Sequence, residues 1–197
     1  MSLREIVFDV ETTGFEYPVD ILMATVLEVK PNGLHKYTTL SLKDFDDNYD
    51  FLCSLIKTMS PDGYDELKFL LNTQTTLITF NGKKFDLPIL RDNLLRYGVE
   101  WFPVKYFKHV DIYRDFIHNG LVRTPSRPGD RRLERIYELY IGGGIDIDDI
   151  SGRDFPDLYK EAVEKGDEDL HQLLVDYNQQ DVRLTLELYN RFKMFLP

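Results

Sequence analysis

The longest helical pattern in the chain carries a carboxylate where its neighbours call for an apolar side chain. From about Glu168 to Phe195 the stripe Leu170, Leu173, Leu174, Tyr177, Leu184 and Leu188 follows the spacing of a buried face. Asp181 falls inside it, four residues after Tyr177 and three before Leu184. A charge in that register is costly unless it is paired or liganded. Whatever this helix packs against must therefore meet Asp181 with polar groups or a bound ion. Tyr177 shares its face within one turn, so a hydroxyl and a carboxylate converge, and a plain Tyr–Asp hydrogen bond is the alternative to a ligand site. Asp176 lies off the stripe and reads as solvated surface.

The rest of the chain has to supply the opposing surface. Glu5 to Val10 is a short apolar run of the kind buried on both faces of a sheet. Ile21–Val29 and Leu34–Leu42, joined through Pro31-Asn32-Gly33, read as an antiparallel hairpin. Helical spacing covers Phe51–Met59 and Tyr64–Leu71. Leu77–Phe80 is a compact strand, Leu87–Tyr97 a helix with Pro88 in its first turn and Gly98 past its end, and Tyr106–Ile112 a fifth strand. Helices at Leu133–Ile141, Asp157–Lys165 and the final stretch complete the order, with Gly142-Gly143-Gly144 as a break. The expectation is an α/β fold, a mixed five-stranded sheet flanked by helices, in one domain spanning 1–197.

Two further acidic sites stand at strand ends. Asp9 and Glu11, two apart on a strand, point to one face about 7 Å apart along the chain. Paired carboxylates at a buried strand end repel and cost desolvation; they serve either as strand-end solvation beside Thr12-Thr13-Gly14 or as ligands for magnesium or manganese. Asp86, before Pro88, is either a helix cap or a ligand, and the two roles are compatible. A sheet order of 3-2-1-4-5 would bring strands 1 and 4 side by side, with a crevice beyond their carboxyl ends. Asp9, Glu11 and Asp86 would meet there, and Asp181 would join them if the final helix crosses strand 1. Carboxylates without His or Cys partners suggest hard cations and phosphate chemistry; the histidines at 35, 109, 118 and 171 lack metal-ligand spacing. Asp111, at the end of the fifth strand, borders this crevice or caps a turn.

With 24 basic and 34 acidic residues, the net charge is −10. Such a surface repels phosphate backbones on average, which argues against non-specific DNA binding through bulk charge. An enzyme that meets nucleic acid through bound cations is still allowed. Arg123, Arg127, Arg131, Arg132 and Arg135 cluster in Leu121–Ile136 around Pro125, Pro128 and Gly129, either as a substrate-gripping loop or as a solvated one. Lys83 and Lys84 could also face phosphate. A single cysteine, Cys53, rules out an internal disulfide and suits a reducing compartment. With no membrane-length apolar run and no signal-peptide pattern at the start, the expectation is a soluble, cytoplasmic protein.

Asp9-Val10-Glu11, Asn81 to Asp86 and Tyr177-Asn178-Gln179-Gln180-Asp181 together resemble the three exonuclease motifs of the DEDD superfamily, tyrosine subclass, which includes the proofreading domain of family-B DNA polymerases. The stretch Asp146–Asp181, with Ile150-Ser151-Gly152, Pro156-Asp157-Leu158-Tyr159 and Gly166-Asp167, is similar to stand-alone predicted exonucleases related to that domain. The resemblance implies a ribonuclease-H-like fold and a 3′–5′ exonuclease using two divalent cations, Mg2+ or Mn2+. It implies that Asp9 bridges both metals, that Glu11 and Asp181 complete one and that Asp86 serves the other. Tyr177 would orient the attacking water, since a phenol is a weak base at neutral pH. Asn81 and Phe85 match positions that hold terminal nucleotides, and Thr12 would contact the terminal sugar. Arg127 and Arg131 are the candidates for backbone contacts. Single-stranded DNA is the favoured substrate; an exoribonuclease on the same site, or a non-catalytic subunit of a repair or replication assembly with a protein partner, are the alternatives.

Overall fold

The computed structural model describes residues 2–30, 33–60, 73–100, 107–124, 131–143, 145–147 and 150–196. Strands β1 (Ser2–Thr12), β2 (Ile21–Val29), β3 (His35–Ser41), β4 (Thr73–Thr79) and β5 (Lys108–Asp111) form one sheet in the order β3-β2-β1-β4-β5. The hairpin strands β2 and β3 are antiparallel, and β1 pairs antiparallel with β2, with Asp9 opposite Thr25 and Glu11 opposite Met23. On its other side β1 runs parallel to β4, and β4 parallel to β5. This is the ribonuclease-H-like topology expected from the sequence.

Two helical layers cover the sheet, and the period-2 alternation of β1 assigns its side chains between them. Ile6, Phe8 and Val10 pack with α1 (Asn48–Met59) and α2 (Asp86–Tyr97). Val7 faces the opposite layer of α3 (Leu133–Tyr140) and α5 (Glu168–Phe192). Asp9 and Glu11 share the parity of Val7, so they project toward α5, which crosses β1 and β2. A third cluster joins α4 (Phe155–Lys165) to α5 through Phe155, Tyr159, Leu174 and Tyr177.

Local chemistry sets the ends of these helices. Gly166 adopts φ 63°, the left-handed conformation that closes α4, and Asp167 accepts from Leu170 N–H at 3.0 Å to open α5. Nothing else separates the two helices, so they fold back as a hairpin that carries Tyr177 and Asp181 onto the sheet. Leu173, placed in the buried stripe by spacing, is 41% exposed instead. It lies beyond the edge of the face that α4 and the sheet cover.

The fifth strand, expected over Tyr106–Ile112, ends at Asp111, and Ile112–His118 is a π-helical segment capped by Asp111 through Arg114 N–H. Its apolar residues Ile112, Phe116 and Ile117 are buried. The helix expected over 64–71 lies outside the described residues. Among the described residues, no helix is long and apolar enough to cross a membrane.

Candidate active site

Beyond the carboxyl ends of β1 and β4 opens a cleft of about 410 Å³ whose lining includes Asp9, Glu11, Asp86 and Asp181. One oxygen from each of Asp9, Glu11 and Asp181 lies within 4.8 Å of the others. Three of the four carboxylates are buried, Glu11 at 8%, Asp86 at 3% and Asp181 at 9% exposure, and Asp9 is half-buried. The strand pair, the loop after β4 and the last helix therefore converge as the sequence pattern anticipated.

Asp86 reaches the cleft by close packing rather than by capping. The cap position belongs to Phe85, with no side-chain bond, and Asp86 is the first residue of α2. Asn81, at φ 63°, turns the chain, and Lys84 and Phe85 N–H both donate to its carbonyl. A Cβ on Gly82 would stand 2.4 Å from Thr79 Oγ1 and 2.8 Å from Asp86 Oδ2, so only glycine lets the loop approach the strand this closely.

Burial is the main influence on these acids. It pushes Asp9 up to about 7, against a hydrogen bond from Asn178 that favours the charged form. Glu11, Asp86 and Asp181 are likewise held well above the usual carboxylate range, first by burial and then by the charge of Asp9. Asn178 Nδ2 donates to Asp9 Oδ2 at 2.7 Å. Tyr177 lies close enough to Asp181 to favour its charged form, and its own ionisation is suppressed by burial and by the surrounding acids. The phenol thus keeps its proton at any physiological pH. Asp181 Oδ1 is buried with no hydrogen-bond partner.

That donor set fits a hard divalent cation. Three carboxylates within one coordination sphere's reach, an orphan oxygen, and a cleft lining free of His and Cys among the described residues match the preferences of magnesium or manganese. A cation would also relieve the desolvated, mutually repelling charges.

The remaining anticipated residues divide. Asn81 and Phe85 line the cleft, and Asn81 Oδ1 is buried and unpartnered. Arg131 lines it with a buried, unpartnered Nε, beside Arg132. Thr12 is buried outside the lining, its hydroxyl donating to Gly14 carbonyl at 3.0 Å. Arg127 lies outside the described residues. Lys83 is paired with Asp115 at 2.7 Å. Asp111 is a fully buried cap that accepts from the N–H groups of Asn81, Lys83 and Arg114.

Sequence reasoning missed several contributors. Asn178 braces Asp9, and Gln180 ties Asp146 and Ile147, on the way to the cleft-lining Gly152, to α5. Their one legible signal is position: amides flanking a buried carboxylate on one helix. Glu134 adds negative potential at Asp9, Asp181 and Tyr177, yet it reads locally as an ordinary first-turn acid. Phe15, Phe80 and Tyr113 also line the cleft, and nothing local distinguishes them from core aromatics.

Residues 6–193 match the RNase_H superfamily. By structure, the chain is similar to E. coli exonuclease I in complex with a 5cy-dT13 oligonucleotide, with a TM-score of 0.61 and 11% identity over 98% of this chain and 41% of that one. It is similar to the zinc-ion-bound E. coli exonuclease I–ssDNA complex at 0.52 and 11% identity, over 91% and 44%. The E. coli exonuclease I complex with a dA16 oligonucleotide gives 0.51 and 13% identity, over 88% and 42%. The chain thus spans less than half the length of these exonuclease I chains, and at such identities the likeness is one of fold. No curated protein matches the sequence.

Proposed function

The chain belongs to the RNase_H superfamily, and on that footing we propose that it is a metal-dependent 3′–5′ exonuclease of single-stranded nucleic acid, with DNA the favoured polymer. In this reading it is a tyrosine-type member of the DEDD superfamily that releases nucleoside 5′-monophosphates, acting as a single unit. The observation that carries the reading is the convergence of Asp9, Glu11 and Asp181 within 4.8 Å around an orphan Asp181 oxygen. Deoxyoligonucleotides bound to exonuclease I, a protein of the same fold, favour DNA.

Asp9, Glu11 and Asp181 would hold one divalent cation, and Asp9 with Asp86 a second. Such ions, when bound, activate water and stabilise the departing 3′ oxygen. Everything else falls to the protein. Tyr177, which stays protonated beside Asp181, orients the attacking water rather than deprotonating it. Asn178 fixes the Asp9 carboxylate. Asn81 and Phe85 hold the terminal nucleotide, and Arg131, with Arg127, holds a phosphate. Because those contacts are to backbone and ring faces, trimming is independent of sequence. A net charge of −10 leaves much of the affinity to bound cations or to a partner protein.

The test is a time course on 5′-labelled single-stranded DNA and RNA of matched sequence with Mg2+, Mn2+ or chelator. A metal-dependent ladder shortening from the 3′ end, lost in Asp181→Ala, is the expected result, faster on DNA. A faster RNA ladder would reassign the substrate. No shortening of either polymer would overturn the enzyme reading in favour of a binding subunit.

A further inference from the structure

Phe80 and Tyr113 form a part of the cleft wall that neither cation binding nor phosphate contact requires. Phe80 follows the last residue of β4, and Tyr113 lies two past the end of β5, above the paired residues Thr79 and Asp111. Their rings meet nearly edge to face, centroids 5.9 Å apart and 67° inclined. Both pack on the core beneath and both line the acidic cleft above.

The pair is held in place from below. Asp111 binds the N–H groups of Asn81 and Lys83 at 2.9 and 2.8 Å and that of Arg114 at 3.0 Å. Lys83 reaches Asp115 across the same gap at 2.7 Å. The loop after Phe80 and the π-helical segment bearing Tyr113 are thereby clasped into one unit. A π-helical insertion is an irregularity often found at functional sites, and this one sets a tyrosine at the rim of a cleft instead of burying it.

A second aromatic pair borders the same cleft. Phe15, 69% exposed, lies 5.7 Å from Phe85, next to Asp86. The carboxylates sit at the end of β1 and at the start of α2, so Phe15–Phe85 is adjacent to the reacting position. Phe80–Tyr113 is displaced from it toward β5, by a distance on the order of one strand spacing, about 5 Å. Arg132, exposed on the cleft rim, supplies a cation nearby.

We infer that Phe80 and Tyr113 form a stacking subsite for a nucleobase adjoining the nucleotide held at the carboxylates, in a single strand. The inference rests on the nucleic-acid reading above and adds to it where the second base goes. Phe15 and Phe85 flank the terminal base, Tyr113 presents its ring to the next one, and Arg132 neutralises an intervening phosphate. Stacking on a ring face accepts every base. It also requires the two bases to part from any complementary strand, so a paired end must fray before it enters.

The test measures binding and turnover separately. Binding is followed by fluorescence anisotropy of a short labelled thymidine oligonucleotide, with Ca2+ replacing Mg2+ to suppress turnover. Tyr113→Ala and Tyr113→Leu are each expected to weaken binding about ten-fold, the scale of one lost stack, while Tyr113→Phe stays within about two-fold. Thermal melting shows that the variants are folded, and Tyr113→Phe and Tyr113→Leu keep the bulk beneath. Binding by Tyr113→Leu equal to the parent would mean that bulk alone suffices, and an equal loss in Tyr113→Phe would mean that the hydroxyl acts; either overturns the subsite, as does an oligonucleotide that does not bind at all. Turnover with Mg2+ is scored on the unsubstituted protein. Turnover with Tyr113-independent binding sinks the subsite alone, whereas Tyr113-dependent binding without turnover sinks the exonuclease reading and leaves the subsite standing.

Discussion

At the scale of single residues, the site is governed by desolvation. Asp9 stands at about 7 in the folded protein against 3.8 for the ordinary side chain, chiefly through burial. A carboxylate raised on folding stabilises below its unfolded value, and that stability is lost as pH rises through the folded one. Metal-free protein should therefore lose stability relative to Asp9→Asn between about pH 4 and pH 7, with the difference between their melting curves as the readout. Added Mn2+ at pH 7.5 should raise the melting temperature of the parent and leave Asp9→Asn nearly unmoved; equal shifts would contradict a cation at Asp9. Asn178 acts one shell out. Its 2.7 Å bond to Asp9 fixes the carboxylate, and outer partners of this kind contribute about 10–100-fold to metal affinity or activity. Asn178→Leu should raise the Mn2+ concentration for half-maximal activity by that amount, and an unchanged titration would remove Asn178 from the site.

At the scale of elements, the geometry depends on short connections that tolerate no added atoms. Gly82 lies where a Cβ would collide with Thr79 and Asp86. Gly82→Ala should cost about 1–3 kcal/mol in denaturant unfolding and also lower turnover, because the displaced atom is an Asp86 oxygen. A variant with parental stability and turnover would show that the loop relaxes freely. Gln180 performs the corresponding service for the far wall. Its amide takes Asp146 and Ile147 N–H groups and donates to Ile147 carbonyl, tethering the segment that leads to Gly152. Gln180→Ala leaves those buried backbone groups unpaired at about 1–3 kcal/mol. In α5 the consecutive amides diverge: Asn178 goes to Asp9, Gln179 to Thr39 on β3, and Gln180 to the loop. One helical turn thus touches the strand edge, the acidic floor of the cleft and its far wall.

At the scale of the whole molecule, the proposed function requires an acidic protein to meet a polyanion through few contacts. Among the described residues, Arg131 and Arg132 are the arginines lining the cleft. Single-strand affinity should therefore fall with log salt with a slope of roughly −1 to −2, at about −0.7 per phosphate contacted. A slope steeper than about −5 in anisotropy titrations would reveal a basic surface elsewhere. The strand segments, most of the helices and the acidic positions Asp9, Glu11, Asp86 and Asp181 were legible in the residues themselves, because burial periodicity and the cost of a charge in an apolar stripe are local quantities. At Asp181 the register alone called for a polar partner, and left a ligand and a Tyr177 hydrogen bond as the alternatives. The ends of elements were less legible: a π-helical segment begins at Ile112, which the sequence placed in the fifth strand, and Leu173 follows the stripe but faces water. The sequence by itself determined which layers form and which side chains each must bury. The meeting of the carboxylates followed from the sequence only on condition of a 3-2-1-4-5 sheet, and which aromatics stand beside them was decided when β4 came to lie between β1 and β5. That adjacency sets Asp86 against Asp9 and Phe80 against Tyr113, partners 77 and 33 residues apart in the chain. No local pattern encodes such a pairing, because it is the sheet order that sets their separation in space.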